Sequence, residues 1–184
     1  MKNIIAFRHS VKTPLWFVVA VLLLTGAVSG NAQKKSSMAS KLESKPDAFI
    51  QKDFTTIGKV AGVSISVEGI TDLGTKTKMN ALEMEYSGTD NSTSASVLLD
   101  PGEADTLMNF IDFVTNTVFM SGTPPDEREF SYISRSGFEA GCYWNKGWNV
   151  YIRVDYKDKR TNVEFNREDV MAFKSLLKQA KSNL

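Results

Sequence analysis

From residue 60 onward the chain alternates between two hydrophobic periods. Gly62-Val63-Ser64-Ile65-Ser66-Val67 is apolar at every second position, the pattern of a half-buried strand. Met79 to Tyr86 alternates too, with Leu82, Met84 and Tyr86 on one side and Glu83 and Glu85 on the other. Ser87-Gly88-Thr89-Asp90-Asn91-Ser92 has turn chemistry, and Ser94 to Leu99 predicts a third strand. The period then lengthens. Asp100-Pro101-Gly102-Glu103 reads as a capped helix start, with Pro at the first helical position and Glu three residues after the cap. Leu107, Phe110, Ile111, Val114 and Val118 follow at helical spacing, predicting a helix over about 101–118.

Ser121 to Glu127 (SGTPPDE) breaks the pattern. Strands are then expected over Phe130–Arg135, Phe138–Trp144, Trp148–Tyr156 and Arg160–Phe165, separated by Ser136-Gly137, Asn145-Lys146-Gly147 and Lys157-Asp158-Lys159. Asn166 should cap a last helix with Val170, Phe173, Leu176, Leu177 and Ala180 as its buried stripe. The expected class is α+β, with one or more antiparallel sheets and two helices.

A shift of 66 residues superposes the two halves. It lays Asp100 on Asn166 and Glu103 on Asp169. Leu107, Phe110, Ile111 and Val114 fall on Phe173, Leu176, Leu177 and Ala180, and Leu82, Met84 and Tyr86 fall on Trp148, Val150 and Ile152. A duplicated unit of three or four strands and a helix is expected, with halves at 60–120 and 128–184. The alternative is that any strand–cap–helix unit would match this way. Over roughly residues 60–182 the element order resembles the two-repeat layout of the PUR-repeat and Whirly group, and that resemblance implies single-stranded nucleic-acid binding.

The beginning of the chain reads differently. Lys2, Arg8 and Lys12 precede a continuous apolar run of 10 residues, Leu15 to Leu24, and Gly30-Asn31-Ala32 fits a small-x-small cleavage site. A spanning helix needs about 20 apolar residues, so residues 1–32 are expected to be a cleavable signal peptide rather than an anchor. Lipid attachment at that junction would need a cysteine, and the only one is Cys142. The expected destination is periplasmic or extracellular. Residues 33–59 are expected to be a flexible leader, with Asp47 to Lys59 either a short helical turn or an irregular lead-in, and 60–184 a single domain.

Removing residues 1–32 changes the picture twice. It takes three of the 22 Lys and Arg and none of the 21 Asp and Glu, leaving 19 against 21 and a formal charge of −2. Apart from Lys34-Lys35 there is no polybasic segment, so nucleic acid is not an expected partner. It also takes His9, the only histidine. Ser-His-Asp and Cys-His catalysis and Cys/His zinc sites are thereby excluded. One cysteine allows no internal disulfide, and Cys142 is expected to be a buried small hydrophobe. No cofactor and no metal are expected.

The second half permits a register argument. With Asn145-Lys146-Gly147 as a hairpin loop, Trp144, Cys142, Ala140 and Phe138 oppose Trp148, Val150, Ile152 and Val154, all on one apolar face. The opposite face pairs Glu139 with Arg153, Gly141 with Tyr151 and Tyr143 with Asn149. Continuing through a Ser136-Gly137 turn adds Phe130, Tyr132 and Ser134 to this second face. The candidate binding cluster is therefore Phe130, Tyr132, Tyr143 and Tyr151 with Arg153 and Glu139 at its edge. Two-repeat sheets commonly bury both faces, which favours a second core layer there. The expected function is a non-enzymatic binding or assembly domain with a protein or glycan partner. The alternative is a carboxylate-dependent hydrolase acting on glycans, with Glu83, Glu85 and Glu139 as candidate acids. Asn91-Ser92-Thr93 is an N-glycosylation pattern.

Overall fold

The computed structural model describes residues 36–88 and 93–184. The expected signal peptide, Lys34-Lys35 and the Asn91 acceptor lie outside the described residues. Lys34–Leu184 is one compact unit.

Two antiparallel four-stranded meanders make up the fold. The first contains β1 (Ile50–Val60), β2 (Val63–Asp72), β3 (Lys78–Ser87) and β4 (Ser94–Leu99), in that spatial order. The second contains β5 (Glu129–Ile133), β6 (Glu139–Trp144), β7 (Trp148–Arg153) and β8 (Asn162–Phe165). A short helix, α1 (Met38–Glu43), precedes the first sheet. Helix α2 (Pro101–Phe113) follows the first sheet and α3 (Arg167–Lys181) follows the second. The chain is thus α+β with a repeated four-strand-plus-helix order. The 66-residue shift relates equivalent places: β3 to β7, and the Asp100 cap to the Asn166 cap.

Each meander has one apolar face, and the two faces with both long helices form a single core. Val63, Ile65, Val67, Leu82, Met84, Val97 and Leu99 come from the first sheet, and Ala140, Cys142, Val150, Ile152, Val163 and Phe165 from the second. Leu107, Ile111, Phe173 and Leu177 fill the space from the helices. At about 25 cal/mol per Å² of apolar surface removed from water, this shared burial is the main stabilising term. Cys142 is fully buried, and burial pushes its thiol up to about 12. The last turn of the expected 101–118 helix is wider than α: Val114–Val118 is a π turn closed by Phe119 N donating to Val114 O at 3.0 Å.

The expected flexible leader is largely structured. Thr55, Thr56 and Lys59 of β1 pair with Val67, Ser66 and Ser64 of β2, so the sheet begins ten residues before Val60. The strand was hidden in the sequence because β1 is an edge strand with mostly exposed polar side chains, leaving no apolar alternation to read. Helix α1 lies on the outer face of the first sheet, where Ala39 and Leu42 cover Ile70, Ala81 and Leu98.

Charged and polar groups fasten α1 in addition to these apolar contacts. Asp100 is the N-cap of α2 with the expected capping box, and its carboxylate also accepts from the backbone N–H of Met38 and of Ala39, at 2.9 and 3.0 Å. It also accepts from Arg135 at 3.1 Å. At the start of α2, Glu103 returns a bond to the Asp100 N–H at 3.1 Å, which is its half of the capping box. At the other end of α1, Lys52 joins Glu43 to the buried Glu68; the 2.9 Å contact to Glu68 is an ion pair without hydrogen-bond alignment. Lys45 meets Asp72 at 2.6 Å.

Asp100→Ala should uncap α1 and leave Arg135 with Glu103 as its remaining carboxylate partner. The expected cost is about 1–3 kcal/mol in urea unfolding, with faster hydrogen exchange confined to Met38–Glu43. A second outcome concerns pH. The Lys45 ammonium, with the Thr75 N–H, holds the Asp72 carboxyl well below the usual carboxylate range. A depressed folded pKa stabilises above the unfolded value, so this contribution is lost as pH falls below about 4. Burial raises Glu68 instead, which gives the opposite sign. Asp72→Asn should therefore flatten the acid limb of the thermal midpoint, measured between about pH 5 and 2.

Candidate functional site

The outer face of the second sheet is built from three cross-strand rows. Glu129, Tyr143 and Asn149 form the first; Ser131, Gly141, Tyr151 and Glu164 the second; Ile133, Glu139, Arg153 and Asn162 the third. The β6–β7 register is the expected one, including Glu139 opposite Arg153 and Gly141 opposite Tyr151.

The β5–β6 register differs by one residue from expectation. Phe130 pairs with Cys142 and Tyr132 with Ala140, so both aromatics point into the core and leave the expected cluster. The reason is the loop. Ser134 N donates to Phe138 O at 2.8 Å, which closes a three-residue loop, Arg135-Ser136-Gly137, with Gly137 at φ 97°. A two-residue Ser136-Gly137 turn would have reversed every side chain of β5. Tertiary contacts favour the longer loop, because Ser136 N and Oγ donate to Glu103 at 3.2 and 3.0 Å and Arg135 reaches Asp100. Phe130 packs edge-on to Phe113 at 5.2 Å, and Tyr132 donates its hydroxyl to the Glu103 carbonyl at 3.1 Å. Burial, then the Glu103 charge, pushes Tyr132 up to about 12.

Four of the six expected residues do meet: Tyr143, Tyr151, Arg153 and Glu139. Tyr151 leans across Gly141 so closely that a Cβ on Gly141 would lie 2.2 Å from the ring carbon Cζ. Gly141 is therefore required by a close approach and not by a special backbone angle. The ring crosses the sheet, and its hydroxyl arrives between Glu129 and Glu139, at 2.7 and 2.9 Å. One hydroxyl carries one proton, so it donates to one carboxylate at a time. Glu139, only 7% exposed, is held on its other oxygen by Arg153 Nη1 at 2.8 Å. The guanidinium also lies 4.9 Å from the Tyr151 ring centre, and its Nε donates to Asn162 Oδ1 at 3.3 Å. Burial, then the hydrogen bonds to Glu129 and Glu139, pushes the Tyr151 phenol far above its ordinary value. This tyrosine is a fixed strut and stays protonated.

Above this layer lies an open hollow of about 990 Å³. Tyr143 stands half-exposed at its side and bonds Glu164 at 3.2 Å; Trp144 reaches the rim. Glu127, Glu129, Glu164, Arg128, Arg153 and Lys159 line it, so the charges balance. The core does not extend into this hollow, and the expected second core layer is absent here among the described residues. Glu129, Glu164, Lys159 and Asn162 were missed from sequence. Glu129 precedes the strand expected over Phe130–Arg135, and β8 was read without reference to the face. Glu83 and Glu85 sit on the first sheet's outer face, where Glu83 accepts from Ser66 at 2.8 Å, and they do not join Glu139. No cluster of three metal-ligating side chains occurs among the described residues. The hollow offers one ring face, several hydrogen-bonding groups of both signs and a rigid floor, which is the equipment for recognition.

Comparison with protein-family models and with curated proteins found no match.

Gly141→Ala should force Tyr151 off its strut position and cost about 1–3 kcal/mol in urea unfolding, by overpacking. The same event should appear in the phenolate absorbance. In the parent chain at about pH 11, Tyr132 and Tyr151 should remain protonated. In the variant, Tyr151 should ionise earlier.

Proposed function

We propose that the chain is an exported, non-enzymatic binding domain whose ligand, a hydroxyl-rich glycan, enters the hollow on the second sheet. The observation carrying this reading is the pinned floor. Tyr151, Glu139, Glu129 and Arg153 hold one another in place, so the groups around them are presented without further ordering cost. Sugar rings need an apolar platform and in-plane donors and acceptors. Tyr143 supplies the platform, while Glu164, Asn162, Lys159 and Arg128 surround it with both kinds of group. The balanced lining lacks the excess positive charge that a phosphate backbone requires, which argues against the nucleic-acid role implied by the resemblance in element order. Export rests on residues 1–32.

A hydrolase is the second reading, because Glu129 and Glu139 place carboxylate oxygens on the same hydroxyl and so within two hydrogen-bond lengths of each other. That pair, rather than Glu83 and Glu85, would be its acid and nucleophile, since retaining enzymes keep their carboxyls about 5 Å apart.

The test is calorimetric titration of a panel of neutral oligosaccharides. Tyr143→Ala and Lys159→Ala should each weaken binding at least tenfold while leaving the unfolding midpoint within a degree or two, about the effect expected of surface substitutions. Titrations without heat for the parent chain would sink the glycan reading. Release of reducing ends that Glu139→Gln abolishes would instead establish the hydrolase.

A further inference from the structure

The tip of the first sheet displays apolar side chains where a turn normally displays polar ones. Phe49, just before β1, is 80% exposed, and Leu73, just after β2, is 42% exposed. They are neighbours: Leu73 N donates to Phe49 O at 2.8 Å. Turn positions favour Gly, Asn, Asp and Ser, so two large hydrophobes side by side at a turn need a reason.

The turn that carries Leu73 is rigid. Asp72 is buried beneath it and accepts from Gly74 N at 2.9 Å and Thr75 N at 3.1 Å. The Asp72 carbonyl accepts from Lys76 N at 2.8 Å. Lys45 closes the ion pair from the α1 side. Leu73 is therefore held outward by a satisfied network and is not simply frayed into solvent. Lysines lie close to the pair along the chain and the sheet. Lys45 is anchored to Asp72, Lys76 follows in the same turn, and Lys78 stands opposite Thr71 at the start of β3. Lys45 and Asp72 neutralise one another, which leaves Lys76 and Lys78 against Asp47 at this tip.

We propose that this tip docks on a lipid surface containing anionic headgroups. Phe49 and Leu73 enter the headgroup boundary, and Lys76 and Lys78 meet the phosphates. Apolar tips flanked by basic side chains fit an interface of that chemistry, since the rings and aliphatic groups gain burial while the ammoniums stay wet. No helix among the described residues is long and apolar enough to cross a membrane, so the contact is peripheral. The tip is built by the first sheet and the hollow by the second, and the proposal stands independently of the glycan reading.

The experiment is vesicle co-sedimentation of the chain from Lys34, the start of the compact unit, so that the apolar run Leu15–Leu24 contributes nothing. Vesicles of phosphatidylcholine alone are compared with vesicles holding about one-third phosphatidylglycerol, since charge should add to apolar insertion. The parent should partition onto the mixed vesicles, more weakly onto the neutral ones, and lose the difference at high salt. Phe49→Ser with Leu73→Ser should lower partitioning at least tenfold with an unchanged unfolding midpoint. Lys76→Gln with Lys78→Gln should remove only the preference for anionic vesicles. A parent that stays in the supernatant with both vesicles, or a serine variant that binds as the parent does, overturns the proposal. So does concentration-dependent self-association lost in the serine variant, which would make the tip a contact between copies.

Discussion

Neither four-stranded meander closes its core alone in this chain: both apolar faces and both long helices are buried in one cluster, and that sharing organises the molecule. Each half has one face of alternating apolar residues and one helix to cover it. The two halves complete one another by burying both apolar faces in a single cluster with α2 and α3. With no disulfide available from a single cysteine, this packing carries the stability. It also determines what is left over, because each sheet retains an outer face that the shared core does not use.

The two outer faces are solved differently. On the first sheet, α1 covers the end that carries Ile70, Ala81 and Leu98, and buried carboxylates hold it there. Asp100 is central because it satisfies two N–H groups of a helix distant in sequence and the Arg135 guanidinium of the second half. A buried charge with several aligned donors is tolerable where an unpaired one is not. Glu103 works beside it, accepting from Ser136 and bonding back to Asp100 N. This acidic pair at the start of α2 thus joins the N-terminal segment, the first half and the second half. On the second sheet no described residue covers the outer face in this way, and its buried polar groups satisfy each other around Tyr151.

Much of this was legible in the chain. The strands β2, β3 and β4, both long helices and their caps follow from period and cap chemistry. The β6–β7 register followed from one loop and was supported by Glu139 facing Arg153. The pairing of Gly141 with Tyr151 followed from the same loop. What was not legible shares a cause. β1 is an exposed edge strand whose polar residues carry no alternation, so only its pairing with β2 identifies it. The β5–β6 loop is three residues instead of two because Arg135 and Ser136 bond to Glu103 and Asp100, residues more than thirty positions away.

By itself the sequence determined the periodicities, the caps, the duplicated order and the loss of histidine from any chain that begins after residue 32. These are local or compositional properties, set by each residue and its near neighbours. Tertiary structure alone decided which face Phe130 and Tyr132 occupy, that Glu129 joins Glu139 on one hydroxyl, and that Asp100 also holds the N-terminus of a second helix. Each of those depends on donors and acceptors brought together from distant segments, and a one-residue change of register, invisible to hydrophobic pattern in a short strand, exchanges the two faces completely.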